Sequence, residues 1–81
     1  MSFTIYSKQG CSFCKKCIAI LEHEGFSYVV YELDMDFTKE EFYSEFGESA
    51  TFPQITLDGI QLGGCQETIT YLQENNVCCN V

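Results

Sequence analysis

Between Phe3 and Leu33 the chain carries two β-prone runs separated by one amphipathic helical stretch, and this pattern leaves few ways to fold. Phe3-Thr4-Ile5-Tyr6 reads as a short strand, broken by Ser7-Lys8-Gln9-Gly10. From Ser12 a helix is expected. Cys14, Cys17, Ile18 and Leu21 fall at i, i+3, i+4 and i+7, while Lys15 and Lys16 take the opposite face. Gly25 suits the position just past its end. Ser27-Tyr28-Val29-Val30-Tyr31-Glu32-Leu33, rich in β-branched and aromatic residues, is a second strand. A strand–helix–strand unit of this length predicts a right-handed crossover and a parallel pair.

The rest of the chain extends that unit. Thr38 and Glu41 form a capping box, and Phe37 and Phe42 stand as a hydrophobic staple around it. The helix they start is expected to bury Phe42, Tyr43 and Phe46 and to stop at Gly47. Pro53, the only proline, precedes Gln54-Ile55-Thr56-Leu57. Asp58-Gly59 then turns the chain into Ile60-Gln61-Leu62, a strong hairpin signal. A last helix follows Gly63-Gly64, with Cys65, Ile69 and Leu72 on one face. The order is βαβαββα. It predicts one α/β domain over residues 1–81, a small mixed four-stranded sheet flanked by helices.

Charge narrows the function. Four lysines and no arginine stand against 12 acidic residues, a net −8, which repels phosphate backbones and anionic lipid. Nucleic-acid and membrane roles are therefore excluded. The longest aliphatic or cysteine run, Cys17–Leu21, is far short of the roughly 20 residues that span a bilayer. The first residues show neither basic nor apolar leader character, so no secretory signal is expected. Six cysteines would suit a secreted disulfide scaffold, but Cys11, Cys14 and Cys17 share one short segment and Cys78-Cys79 are adjacent. A reducing, cytoplasmic setting and a chemical role for the thiols fit this distribution better.

Cys11-Ser12-Phe13-Cys14 falls where a strand has ended and a helix begins. There a thiolate meets unpaired backbone N–H groups and the positive end of the helix dipole. Lys8, Lys15 and Lys16, three of the four lysines, cluster around Cys11. The spacing brings Cys14 within bonding reach of Cys11, a dithiol–disulfide couple in which Cys11 attacks and Cys14 resolves. A zinc site would need a second ligand pair, which Cys78-Cys79 supply only if the fold returns them. Cys17 lies on the apolar stripe and reads as a buried small hydrophobe. His23, near the end of its helix, is explained by dipole compensation.

Taken together, Cys11–Cys14, Thr51-Phe52-Pro53 before a hairpin and Gly63-Gly64 before a helix resemble the glutaredoxin family across nearly the whole chain. The resemblance implies a thioredoxin-like fold, a cis Pro53, a monomer, and glutathione as co-substrate with no tightly bound cofactor. It implies that the Phe52 backbone pairs with glutathione, that Lys8 meets the glycyl carboxylate, and that Gly64, Cys65 and Gln66 surround the γ-glutamyl end. Phe13 stands where the commonest motif has tyrosine, and Ser12 where it has proline. Gln66 replaces a common acidic position, leaving Glu67, and Ala50 stands where a basic residue is frequent. The implied function is glutathione-dependent reduction of protein disulfides and glutathione mixed disulfides through Cys11 and Cys14. Implied partners are disulfide-containing or glutathionylated proteins, ribonucleotide reductase among them. Two alternatives stay open: a redoxin recharged by thioredoxin reductase, and a metal or bridging [2Fe–2S] module using Cys11. Cys78 and Cys79 are expected to be dispensable for turnover.

Overall fold

The structure, a computed structural model describing residues 2–75, has the expected element order. It runs β1 (Ser2–Ser7), α1 (Ser12–His23), β2 (Ser27–Glu32), α2 (Lys39–Phe46), β3 (Gln54–Leu57), β4 (Ile60–Gly63) and α3 (Cys65–Glu74). The strands form one mixed sheet in the order β2-β1-β3-β4, with β1 parallel to β2 and antiparallel to β3, and β3 antiparallel to β4. This is a thioredoxin-like α/β fold. Asp58 and Gly59 both take positive φ at the β3–β4 turn, the geometry that an Asp-Gly pair favours in a two-residue hairpin loop. Cys78 and Cys79 lie outside the described residues.

The two faces of the sheet are differently filled because side chains alternate along each strand. Phe3 and Ile5 of β1 with Ile55 and Leu57 of β3 form one face, where Cys17 and Leu21 of α1 and Cys65 and Leu72 of α3 complete the core. Tyr6 points to the other face and meets Phe37 and Phe46, ring centroids 5.4 and 5.0 Å away. Phe42 of α2, fully buried, stacks on Phe52 at 4.1 Å. One face is thus closed by aliphatic and thiol side chains together with Phe3 and Phe26, the other by rings alone.

Helix ends follow their local chemistry. At the end of α1, Phe26 N–H bonds Leu21 C=O at 3.0 Å and Gly25 N–H bonds Glu22 C=O at 3.1 Å. This Schellman closure requires Gly25 at φ +77, a conformation that L side chains disfavour. His23 sits in the last turn, as dipole compensation expects. At α2 both capping-box bonds are present, 3.1 Å from Glu41 N–H to Thr38 Oγ1 and 2.9 Å from Thr38 N–H to Glu41 Oε1. The staple pair Phe37 and Phe42 stack at 5.8 Å.

The sequence reading is corrected at the end of the second strand and in the burial of the second helix. The second strand ends at Glu32, and Leu33 instead bridges to Phe37 across a turn, its N–H bonded to Ser7 C=O at 2.9 Å. Of the residues expected to be buried on α2, only Phe42 is. Tyr43 and Phe46 are half-buried, because this short helix rests its apolar side on an aromatic cluster that is open at its edge.

Candidate active site

Cys11 is the N-cap residue of α1, in an extended conformation at φ −94° and ψ 107°. Its Sγ accepts a hydrogen bond from Cys14 N–H at 3.2 Å, taking the place an N-cap oxygen usually fills. No acidic residue occupies the first turn, so nothing there opposes negative charge on that sulfur. Cys11 is 8% exposed and Cys14 2%. Burial, and then a hydrogen bond to the Cys11 side chain, push the Cys14 thiol up to about 12, against the opposing pull of Lys8 through its backbone and its charge. The geometry assigns unequal roles. Cys11 offers a sulfur with backbone support, and Cys14 stays a protonated, inward-facing thiol.

Lys8 and Phe52 meet: the Lys8 Nζ stands 5.3 Å from the Phe52 ring centroid, a cation–π contact. The Phe52–Pro53 bond is cis, as the resemblance implies, and β3 begins directly after it with Gln54 paired to Tyr6. Phe13 is 62% exposed at the rim of the thiol pair. Gly64 is the N-cap of α3 with no side-chain cap, so the first N–H groups of that helix remain open. A Cβ at Gly64 would stand 3.5 Å from both carboxylate oxygens of Glu67 and from Pro53 C=O, so the start of α3 meets the cis-proline segment here. Gly63, at φ +112, holds a backbone conformation that L side chains rarely adopt, and a Cβ there would crowd Glu67 Cβ at 3.2 Å.

Not every expected contact residue points to this convergence. Gln66 turns along its own helix, its Nε2 3.5 Å from Thr70 Oγ1. Cys65 is buried in the core rather than presented to solvent. Lys15 and Lys16 are exposed. Among the described residues no group of three or more His, Cys, Asp or Glu side chains is arranged to hold a metal ion.

Sequence reasoning missed one thiol relationship. Cys17 is buried as expected, at 1% exposure, but it also interacts with Cys65 across the α1–α3 contact. Burial first, then Cys65, push the Cys17 thiol up to about 12, and burial likewise raises Cys65. The sequence held half of the signal, since both cysteines lie on the apolar stripes of their helices; the packing of α1 against α3 on one sheet face supplies the rest.

A glutaredoxin family profile matches residues 3–60. Glutaredoxin 3 of Escherichia coli (strain K12) is 32% identical over 63 residues, covering 78% of this chain and 76% of the relative. The structure of reduced Escherichia coli glutaredoxin superposes with a TM-score of 0.74 at 26% identity, covering 96% of this chain and all of that one. A buckwheat glutaredoxin–glutathione complex shares the fold, with a TM-score of 0.74 at 20% identity over 93% of this chain and 70% of that one.

Proposed function

Because the chain belongs to the glutaredoxin family of thiol–disulfide oxidoreductases, we propose that it reduces protein disulfides and glutathione mixed disulfides through Cys11 and Cys14, with glutathione as reductant. The observation that carries the reading is the Cys14 N–H donated to Cys11 Sγ at 3.2 Å, which supports a thiolate at the N-terminus of α1.

In this reaction the Cys11 thiolate attacks one sulfur of the substrate disulfide. The S–S bond breaks, its electron pair leaves on the second sulfur, and that sulfur takes a proton. Cys11 is then held as a mixed disulfide. Cys14, three residues on and hydrogen-bonded to it, attacks Cys11 Sγ as its own proton leaves for the departing thiolate. The Cys11–Cys14 disulfide is returned to two thiols by two glutathione molecules, which leave as glutathione disulfide. Where the substrate is itself a glutathione mixed disulfide, external glutathione resolves Cys11 without Cys14.

The convergence of Phe52, Pro53, Gly64 and the open N-terminus of α3 supports an extended glutathione beside Cys11, its main chain against Phe52 and its γ-glutamyl carboxylate at the helix start. The buckwheat complex is consistent with that ligand. Lys8 is the cation available to the glycyl carboxylate. A reducing, cytoplasmic setting suits the four free thiols at Cys11, Cys14, Cys17 and Cys65.

The test is turnover of a glutathione mixed disulfide coupled to glutathione, glutathione reductase and NADPH. Saturable NADPH consumption that requires Cys11 is the expected result. Turnover driven by thioredoxin reductase and not by glutathione would overturn the glutathione assignment and favour a redoxin of the other kind.

A further inference from the structure

On the sheet face opposite the thiol core, a cleft of about 330 Å³ opens between β1, β2 and α2. At its centre is Tyr6, whose ring centroid lies 5.6 Å from Tyr31 and meets Phe37 and Phe46 edge-on at 5.4 and 5.0 Å. Asp36, Glu41 and Glu45 complete the lining, and none of the lining residues is cationic. Asp36 Oδ2 accepts Glu32 N–H, and Glu41 Oε1 accepts Thr38 N–H, each at 2.9 Å. Each thereby leaves its second oxygen to solvent or a ligand, and backbone bonds fix both carboxylates in place. Glu45 is exposed at the rim. Negative potential reaches the tyrosine: burial, then the Glu45 charge, then Tyr31 raise the pKa of the Tyr6 phenol.

Ring faces and carboxylates without a cation among them are the environment that binds an organic cation. Packed rings join the wall of the cleft to the segment that ends in the cis proline. Phe37 and Phe42, which form its inner wall, stack on Phe52 at 6.3 and 4.1 Å, and Phe52 carries Lys8 on its ring. A protein whose disulfide lies at Cys11 and whose backbone runs along Phe52 therefore passes the cleft one ring away. Glutathione, whose main chain lies against the same Phe52, has no basic side chain to place in the cleft.

We propose that this cleft seats a lysine or arginine side chain of the protein whose disulfide is reduced, so that the enzyme selects protein substrates bearing a basic residue beside the disulfide. The proposal rests on the thiol–disulfide reading and adds the substrate class. The charge layout fits: the chain places three of its four lysines around Cys11 and leaves this acidic, ring-lined face for a partner of opposite sign.

The test compares disulfide peptides that differ only in a lysine or a norleucine flanking the cystine, which keeps the stem and removes the charge. The lysine peptide is expected to give about tenfold higher kcat/KM, the preference shrinking at high salt. Glu45→Lys should abolish that preference and Glu45→Gln weaken it, both leaving turnover of a glutathione mixed disulfide unchanged. Equal kcat/KM for the two peptides, or a preference intact in Glu45→Lys, would overturn the proposal. Binding is read separately by 15N chemical shifts of the reduced protein with the same lysine peptide carrying serine for cysteine. Shifts at Tyr6, Tyr31 and Glu45 support the cleft even if glutathione-coupled turnover fails, and their absence refutes it.

Discussion

Lys8 Nζ lies 5.3 Å from the centroid of the Phe52 ring, so the one lysine before Cys11 is tied to the segment that ends in the cis proline. The contact limits where a long, flexible cation can stand, three residues before the N-cap cysteine. Phe52→Leu keeps bulk and removes the ring's negative face. An exposed cation–π contact contributes about 0.5–1 kcal/mol, so KM for a glutathione mixed disulfide should rise about two- to fivefold with little change in kcat. Lys8→Met should raise it further. Steady-state kinetics on both variants read the difference, and an unchanged KM in Lys8→Met would remove the lysine from the ligand site.

The two cysteines should be separable. Cys11 alone has the N-cap position and the Cys14 N–H, so Cys11→Ser should reduce all turnover to background. Cys14→Ser keeps that N–H, because the donor is backbone. It should therefore retain glutathione mixed-disulfide reduction, where glutathione resolves, and lose most reduction of protein disulfides. Equal loss of both activities in Cys14→Ser would reverse the assignment of roles.

The second helix offers a stability test away from the thiols. Thr38→Ala deletes the hydroxyl that accepts Glu41 N–H at 3.1 Å, at a cost of about 1 kcal/mol and about 4–8 °C in Tm. Phe42→Ala should cost about 3–5 kcal/mol, since its buried ring stacks on both Phe37 and Phe52. Urea unfolding of the reduced variants gives both values. A Phe42→Ala cost no larger than that of Thr38→Ala would mean that the aromatic face contributes little.

How much of this was readable in the sequence depends on the range of each interaction. The capping box, the Gly25 closure and the Asp58-Gly59 turn are set within a few residues and appear where local chemistry puts them. Cys11 and Cys14 are only three residues apart, so their geometry follows once a helix starts at Ser12. Tyr43 and Phe46 were misjudged because helical periodicity names an apolar side without saying how far the opposing surface extends. The Cys17–Cys65 contact and the ring-lined cleft join segments far apart in sequence, and only the packing of α1 on α3 and of α2 on Tyr6 creates them. At the site, the resemblance implies a ligand contact for Gln66, and the chain alone shows its amide 3.5 Å from Thr70 Oγ1 on the same helix.

Buried thiols should make the reduced protein lose stability in alkali. Cys14 and Cys17 are both pushed up to about 12 from an ordinary value of 9.0, chiefly by burial. The unfolded chain therefore releases these protons near pH 9 while the folded one keeps them to about pH 12. Through that window the native state binds more protons than the unfolded state, and stability falls as pH rises. Each thiol contributes a slope approaching about 1.4 kcal/mol per pH unit. Urea midpoints of the reduced protein at pH 7.5, 9 and 10.5 should therefore fall more steeply across the upper interval than the lower one. Cys17→Ala removes one titrating thiol from the core. It should be less stable than the parent at neutral pH, because of the cavity it leaves, yet lose less on going to pH 10.5. Parallel losses in parent and variant would show that Cys17 does not hold its proton more tightly in the folded state.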